Sequence, residues 1–361
     1  MISGVATAFI MNCNIFGRCS KEYAILECDE NSLPEISRYI DAEIVAVTNV
    51  FRDQLDRYGE IEHVLNSIIT GISNMPDSKL VINADCPLTY SISEKLENEI
   101  TTFGINASLN QGAVSDNRFC PICKGELIYK SRVYAQLGDY FCPECAYKRV
   151  FPDICINSIS ENSELGYSFF INSSGKTEIA STSLGGIYNI YNYCCAAAIL
   201  KTLGVYESTA LEGFSGAFGR MEHFNSGKKD IQLLLVKNPV GFSNCINYAS
   251  KLRGDYDFVF ALNDNDADGR DVSWIWDTSF SKLAGKNSKF ITVGKRSFDM
   301  ALRLKYSGID VLRAFEGEDY NSLIRLVKEE NKDFIIFANY TSMMNMRKFF
   351  VEAFGGREFW E

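Results

Sequence analysis

A chain of 361 residues carries 46 Asp and Glu against 36 Lys and Arg, for a formal net charge of −10. That balance, with no clustered run of Lys and Arg, excludes a nucleic-acid backbone as partner and an anionic membrane surface as an electrostatic anchor. At 46% hydrophobic and 23% charged residues the composition is that of a globular protein large enough for two domains, and no apolar run is long enough to span a bilayer.

Residues 1–11 are mildly apolar but lack a basic start and a clear cleavage site, so no signal peptide is expected and the chain reads as cytoplasmic. A disulfide framework is not expected in that compartment. Of the twelve cysteines, four fall in two C-x-x-C pairs. The other eight, Cys13, Cys19, Cys28, Cys86, Cys155, Cys194, Cys195 and Cys245, are expected to behave as small buried hydrophobes.

In chain order, residues 23–28 (YAILEC) read as a strand, 33–40 as a short helix and 43–50 (EIVAVTNV) as a second strand. Residues 61–72 have helical spacing, and 79–84 (KLVINA) form a third strand. Strands apolar on both faces and separated by helices predict a parallel sheet covered on both sides. The order breaks at 117–150, which holds the cysteine pairs. Strand patterns at 166–172 and 177–182 follow, and 192–203 is a helix stopped by Gly204. The polar stretch 225–230 (NSGKKD) reads as a linker. Beyond it strands at 233–236, 258–262, 290–293, 311–314 and 334–338 alternate with helices at 242–251, 298–306 and 320–329, which predicts a second, smaller doubly wound domain.

The strongest chemical signal is C-P-I-C, eighteen residues, then C-P-E-C. Two such knuckles bring the thiolates of Cys120, Cys123, Cys142 and Cys145 to tetrahedral positions around one zinc ion. The alternative is a redox dithiol. Four protein ligands leave no open position, so the metal is structural and lends folding energy to a segment too small for its own core. The Pro in each pair and Gly125 and Gly138 suit tight turns.

Other motifs are weaker. Glu27 ends the first expected strand, where a carboxylate can hold Mg²⁺ beside phosphates or simply stay solvated. Asn49, Asp53 and Asp56 fall at the end of the second. G-G-I-Y-N-I-Y-N puts Asn189 and Asn192 three apart at a helix start, where both amides can face a planar group such as adenine, or one can cap the helix. F-G-R-M-E places Arg220 where it can reach a phosphate or pair with Glu222 at the surface. A strand then runs into five Asp within fourteen residues, and Trp274 and Trp276 are expected to anchor that acidic loop.

Taken together, I-L-E-C-D-E, T-N-V-F-R-D-Q-L-D-R-Y-G, the four-cysteine ribbon, G-I-Y-N-I-Y-N, F-G-R-M-E, K-N-P-V-G-F and A-D-G-R-D-V-S-W-I-W-D resemble the MurT family over nearly the whole chain. MurT proteins are ligase-type subunits of lipid II isoglutaminyl synthase and relatives of the Mur peptide ligases. The resemblance implies an α/β fold: a Mur ligase-like central domain at 1–224 with the zinc ribbon inserted at 117–150, then a smaller Rossmann-like C-terminal domain at 225–361. It implies ATP-dependent amidation of the D-glutamate α-carboxylate of the lipid II stem peptide through an acyl phosphate, with ammonia from a GatD glutaminase partner. Peripheral work at the inner membrane face is implied by the lipid-linked substrate.

By motif, Glu27 matches the Mg²⁺ carboxylate, Asn189 and Asn192 the adenine contacts, and Arg220 the phosphate contact. Asp271, with Asp268 as second choice, matches the aspartate that completes the partner's catalytic set. Gln54 stands where other Mur ligases place a metal-binding His. Gln54, the ribbon and the Trp-containing loop count against an ordinary amino-acid ligase. The Mur ligase P-loop, G-T-N-G-K-T, has no counterpart before the region matching 3–12. Gly175–Thr177 fails the P-loop pattern and reads as a hairpin turn. These 361 residues are therefore expected to bind ATP weakly and turn over little. The competing expectation is a catalytically inactive zinc-containing scaffold of the same complex.

Overall fold

The computed structural model describes residues 2–50, 60–107, 119–161, 166–173, 175–207, 211, 222–226 and 229–355. They divide into two compact units. The first holds the described residues of 1–52, 57–183 and 187–213, and the second those of 184–186 and 214–361.

In chain order the first unit runs α1 (Ile2–Asn12), α2 (Leu33–Ile36), β1 (Ile44–Val47), α3 (Glu60–Ser73), β2 (Lys79–Asn83), α4 (Pro87–Tyr90), β3 (Ile100–Ile105), β4 (Ile128–Tyr134), β5 (Leu137–Phe141), β6 (Ile154–Glu161), β7 (Tyr167–Ser173), β8 (Lys176–Thr182) and α5 (Ile187–Thr202). Its main sheet has the order β1-β2-β3-β6-β7-β8. The first four strands are parallel, and β7 and β8 add on antiparallel. In β2, Leu80, Val81, Ile82 and Asn83 are all fully buried, because a central parallel strand is covered on both faces. That is why its apolar run is continuous. Over this sheet α5 lays Ile190, Tyr191, Cys194, Ala197 and Ala198. It ends in a Schellman turn: Gly204 takes φ +74°, Val205 N–H bonds Leu200 O at 3.0 Å and Gly204 N–H bonds Lys201 O at 3.0 Å. The expected turn at Gly175–Thr177 is indeed a β7–β8 hairpin, with Ser173 opposite Lys176.

The second unit runs β9 (Glu222–Ser226), β10 (Lys229–Leu235), α6 (Pro239–Lys251), β11 (Tyr256–Ala261), β12 (Phe290–Val293), α7 (Ser297–Tyr306), β13 (Arg313–Ala314), α8 (Tyr320–Glu329), β14 (Asp333–Ala338) and α9 (Tyr340–Phe354). The sheet order is β13-β12-β11-β14-β10-β9, parallel except for β9. Side chains of β11 alternate between two cores. Phe258 and Phe260 join Phe242, Trp274, Phe280 and Phe337 on one face. Val259 and Ala261 join Tyr320, Leu323, Met343 and Phe350 on the other. The α6 helix opens on Asn238, whose side-chain oxygen accepts the Gly241 N–H at 2.8 Å, with Pro239 in the first turn.

Four differences from the sequence reading stand out. Residues 23–28 form no strand, and Ile25 is 97% exposed. Both ends of the expected linker, 225–226 and 229–230, lie in the antiparallel pair β9–β10, where Asp230 sits opposite Asn225. An edge strand tolerates such polar residues, so it imitates a linker in sequence. Helices α1 and α9 were not anticipated, and α1 buries none of its residues. Among the scattered cysteines, Cys13 and Cys28 are only partly covered and Cys19 is exposed, while the other five are buried. No helix of the described residues is long and apolar enough to cross a membrane.

Candidate functional site

The cysteine quartet closes as its spacing predicts. The sulfurs of Cys120, Cys123, Cys142 and Cys145 all lie within 4.8 Å of one another. Cys120 and Cys145 Sγ are 3.6 Å apart, and Cys123 and Cys142 Sγ are 3.5 Å apart. Thiolates bound to one tetrahedral zinc at about 2.3 Å stand close to that separation, so the donor set fits Zn²⁺. Each knuckle turns on the residue after its second cysteine, Lys124 at φ 65° and Ala146 at φ 61°. Gly125 and Gly138 do a different job from the turns expected of them. A Cβ on Gly125 would meet the Glu144 carboxylate at 2.4 Å, and one on Gly138 would meet Ser131 O at 2.2 Å.

Backbone amides prepare the sulfurs for metal. The Gly125 N–H donates to Cys123 Sγ at 3.4 Å. Burial opposes ionisation of Cys142, but the N–H groups of Glu144 and Cys145, together with the neighbouring thiols of Cys123 and Cys145, outweigh it and draw the thiol down to about 7. Behind the knuckles, Cys120, Leu127, Tyr140, Cys142 and Tyr147 form a small core of their own. That core is too small to hold the ribbon alone, which is the usual reason for a metal staple.

The ribbon stands on the carboxyl ends of the parallel strands. Its hairpin sends Gln136 Nε2 to Val50 O, beyond β1, at 2.7 Å. Gly138 N–H reaches Asp85 O, beyond β2, at 3.0 Å. Tyr147 hydroxyl donates to Pro87 O at 2.7 Å. Below it lies a buried polar centre that the sequence reading missed. Asp85 accepts Arg149 Nε at 2.6 Å through Oδ1, and Ile105 N–H and the Tyr191 hydroxyl, each at 2.7 Å, through Oδ2. Burial pushes the Asp85 carboxyl up against the pull of Arg149 and its other donors. Burial works against the Arg149 charge too, but Asp85 more than offsets it and holds the guanidinium protonated. The only sequence hint was an acid two residues past a buried strand.

The residues expected to meet a nucleotide are placed unevenly. Asn189 and Asn192 lie in the first two turns of α5, Asn189 partly covered and Asn192 exposed, and the Asn192 amide donates to Asn189 Oδ1 at 3.3 Å. Both sit inside the helix, so neither is its N-cap. Glu27 is exposed in the irregular segment before α2 rather than at a strand end. Asn49 accepts the Asn83 amide at 2.9 Å, next to the end of β2. Arg220, Asp53, Gln54 and Asp56 lie outside the described residues. Glu222, which the motif sets beside Arg220, is gripped on both oxygens by Arg347 Nε at 2.9 Å, within the second unit.

In the second unit the acidic loop follows β11. Asp268 accepts the Thr341 N–H at 2.8 Å and the Thr341 hydroxyl. Asp271 accepts the Ser273 N–H at 2.7 Å and its hydroxyl at 2.8 Å, shaping the 3-10 turn Ser273–Asp277. Trp274 is buried against Phe242, while Trp276 remains 47% exposed and packs edge-on against Tyr306. The two tryptophans thus split the anchoring role expected of both. Asn263, at the switch point between β11 and β14, donates to Glu318 at 2.8 Å and accepts the Lys295 N–H at 2.9 Å. No sequence motif had singled it out.

Comparison with known proteins matches this architecture. Residues 12–120 fit the Mur ligase middle domain family and 235–343 the MurT ligase C-terminal family. The MurT subunit of lipid II isoglutaminyl synthase (glutamine-hydrolyzing) from Streptococcus pneumoniae is 33% identical over 96% of this chain and 78% of its own length. The subunit of the same name from Staphylococcus aureus is 32% identical over 99% of this chain and 80% of its own. Among solved structures, a pseudomurein peptide ligase type C from Methanothermus fervidus superposes with a TM-score of 0.69 at 20% identity, over 89% of this chain. MurF from Acinetobacter baumannii superposes at 0.60 and 13%, over 88%. The chain spans 65% and 62% of the lengths of those two ligases. The solved structures share the fold, the curated relatives share a third of the residues across nearly every element described above, and this chain belongs to the MurT family of ligase subunits.

Proposed function

We propose that the chain is the ATP-using subunit of an amidotransferase that converts the D-glutamate α-carboxylate of the lipid II stem peptide to D-isoglutamine in peptidoglycan synthesis. The observation that carries this reading is 33% identity, over 96% of the chain, to a subunit named for glutamine-hydrolysing lipid II isoglutaminyl synthesis. The first unit acts as the nucleotide-binding central domain. A neighbour in fold, the MurF ligase of Thermotoga maritima, holds ADP.

A carboxylate cannot expel an oxide, so it must be activated. One carboxylate oxygen attacks the γ-phosphorus of ATP, ADP leaves, and an acyl phosphate forms. Ammonia then attacks the acyl carbon, phosphate leaves, and the nitrogen loses a proton to give the amide. Asn189 and Asn192 hold the adenine, Glu27 takes Mg²⁺, and Arg220 meets the phosphoryl charge that grows in the transition state. Ammonia comes from a GatD-type glutaminase partner that supplies its own Cys and His, and Asp271 (or Asp268) completes that set. Zinc on the four cysteines shapes the scaffold and takes no part in the chemistry.

The test combines the chain with the glutaminase, lipid II, glutamine and MgATP. Amidated lipid II, identified by mass spectrometry, and ADP should form in equal amounts, at the low rate expected of a sequence without a P-loop motif. Absence of lipid II-dependent ADP release, or use of a free amino acid in place of ammonia, overturns the reading.

A further inference from the structure

We infer that Asp85 is a positioning residue that couples the ribbon to the helix carrying Asn189 and Asn192, so that nucleotide affinity depends on zinc although the metal has no open ligand position. The inference rests on the reading of those two asparagines as nucleotide contacts.

Asp85 is fully buried and shares its two oxygens between the ribbon and α5. Oδ1 takes Arg149 Nε at 2.6 Å, and Oδ2 takes the Tyr191 hydroxyl at 2.7 Å. Arg149 follows the last zinc ligand, Cys145, by four residues, and its N–H is bonded to Tyr140 O at 3.0 Å inside the ribbon. Tyr191 lies between Asn189 and Asn192, and its ring also meets that of Tyr134 on β4, with centroids 6.5 Å apart. Two ribbon residues, Arg149 through Asp85 and Tyr134 directly, therefore bear on Tyr191 in the first two turns of α5, where Ile187 and Ile190 are also buried. The carboxylate has no slack, since a Cβ on Gly104 would stand 2.4 Å from Asp85 Oδ1.

The consequence of metal loss follows from buried-charge physics. Without zinc the second knuckle loses its fold and Arg149 loses its anchor. A buried carboxylate stripped of its counter-charge cannot stay as it was. It takes up water or a proton, and the bond on its other oxygen, to Tyr191, is remade. Further along α5, Cys194, Ala197 and Ala198 stay buried on the sheet, so the helix persists while its first turns shift. Small displacements of positioning groups weaken ligand contacts without unfolding a site.

The experiment measures binding of a non-hydrolysable MgATP analogue by the full chain before and after chelation, for wild type and Tyr191→Phe, with hydrogen exchange over 187–202 as a second readout. Chelation should weaken the wild type about tenfold, and zinc added back should restore it. Zinc-loaded Tyr191→Phe should lose most of that sensitivity, because the hydrogen-bonded link to Asp85 is already cut and only the ring contact with Tyr134 remains. Exchange in the first turns of α5 should rise on chelation in the wild type alone. Equal sensitivity of Tyr191→Phe and wild type in exchange, or α5 exchange unmoved by chelation, overturns the coupling. A wild type whose α5 responds to chelation but which never binds the analogue keeps the coupling and overturns the nucleotide reading instead.

Discussion

Asp268 reaches from the loop after β11 to cap the first turn of α9, where its carboxylate receives both the Thr341 N–H, at 2.8 Å, and the Thr341 hydroxyl. The N–H groups of a first helical turn have no partner within the helix, and Asn339, the N-cap, makes no side-chain bond to them. Asp271, three residues on, accepts the N–H and the hydroxyl of Ser273 in the local turn.

This contrast separates the two candidates for the partner's catalytic aspartate. Asp268→Asn should cost about 1 kcal/mol of stability in the second unit through the lost cap. Asp271→Asn should leave stability nearly unchanged and depress glutamine-driven amidation far more than amidation driven by free ammonium. Denaturation followed by tryptophan fluorescence reads the first effect, because Trp274 and Trp276 lie in the second unit. Should Asp268→Asn, and not Asp271→Asn, uncouple glutamine from product, the assignment reverses.

The ribbon should take up one zinc, with an affinity that climbs with pH. Zinc binds thiolate, so binding expels whatever thiol protons remain. Cys142 is drawn to about 7, whereas burial holds the Cys120 thiol above its ordinary 9.0. Protons are therefore still displaced between pH 7 and 9, and apparent affinity should rise by about a decade per pH unit for each one. Competition against a chromophoric chelator across that range checks the slope. A flat profile would mean that the thiols are not the ligands.

What could be read in advance depended on how far apart the interacting residues lie. Strands β12 and β14 and helix α8 announce themselves because burial imposes a short period on neighbouring positions. The cysteine quartet is legible for a similar reason, since its pairs are local and its chemistry is rare. Residues 23–28 mislead because an apolar, β-branched run looks the same whether or not a neighbouring strand exists. The Asp85 centre was invisible: Arg149 and Tyr191 are 64 and 106 residues away, and a single long-range bond leaves no pattern in the chain. Choosing between Asp268 and Asp271 likewise needed the position of Thr341, 73 residues from Asp268.

The pair Glu222–Arg347 ties the edge strand β9 to α9. Both side chains are largely covered, at 16% and 8% exposure, and Arg347 Nε contacts both carboxylate oxygens. Removing Arg347 leaves the largely covered Glu222 carboxylate without this counter-charge, so Arg347→Ala should cost about 3 kcal/mol. Arg347→Met fills the volume but also abandons Glu222, and only Arg347→Met combined with Glu222→Gln should recover much of the loss. Urea denaturation read through the same tryptophans tests this cycle. Simple additivity of the two substitutions would show that the pair is not coupled.

Across the antiparallel pair β9–β10, His223 Nδ1 and Asp230 Oδ1 are 2.9 Å apart. The hydrogen bond to Asp230 raises the His223 pKa above its ordinary 6.5, despite partial burial. Burial raises Asp230, but the bonds from His223 and Gln232 prevail and its pKa ends below 3.8. A raised histidine contributes stability that is complete below 6.5 and is lost as pH rises through its folded value. A lowered carboxylate contributes stability that is present above 3.8 and is lost as pH falls through its folded value. The pair therefore works in the window between those limits. In melting curves, the deficit of His223→Gln relative to wild type should be largest near pH 5 and should fade by about pH 8. A deficit that stays constant across that range would mean that the contact acts through shape alone and that His223 carries no charge in it.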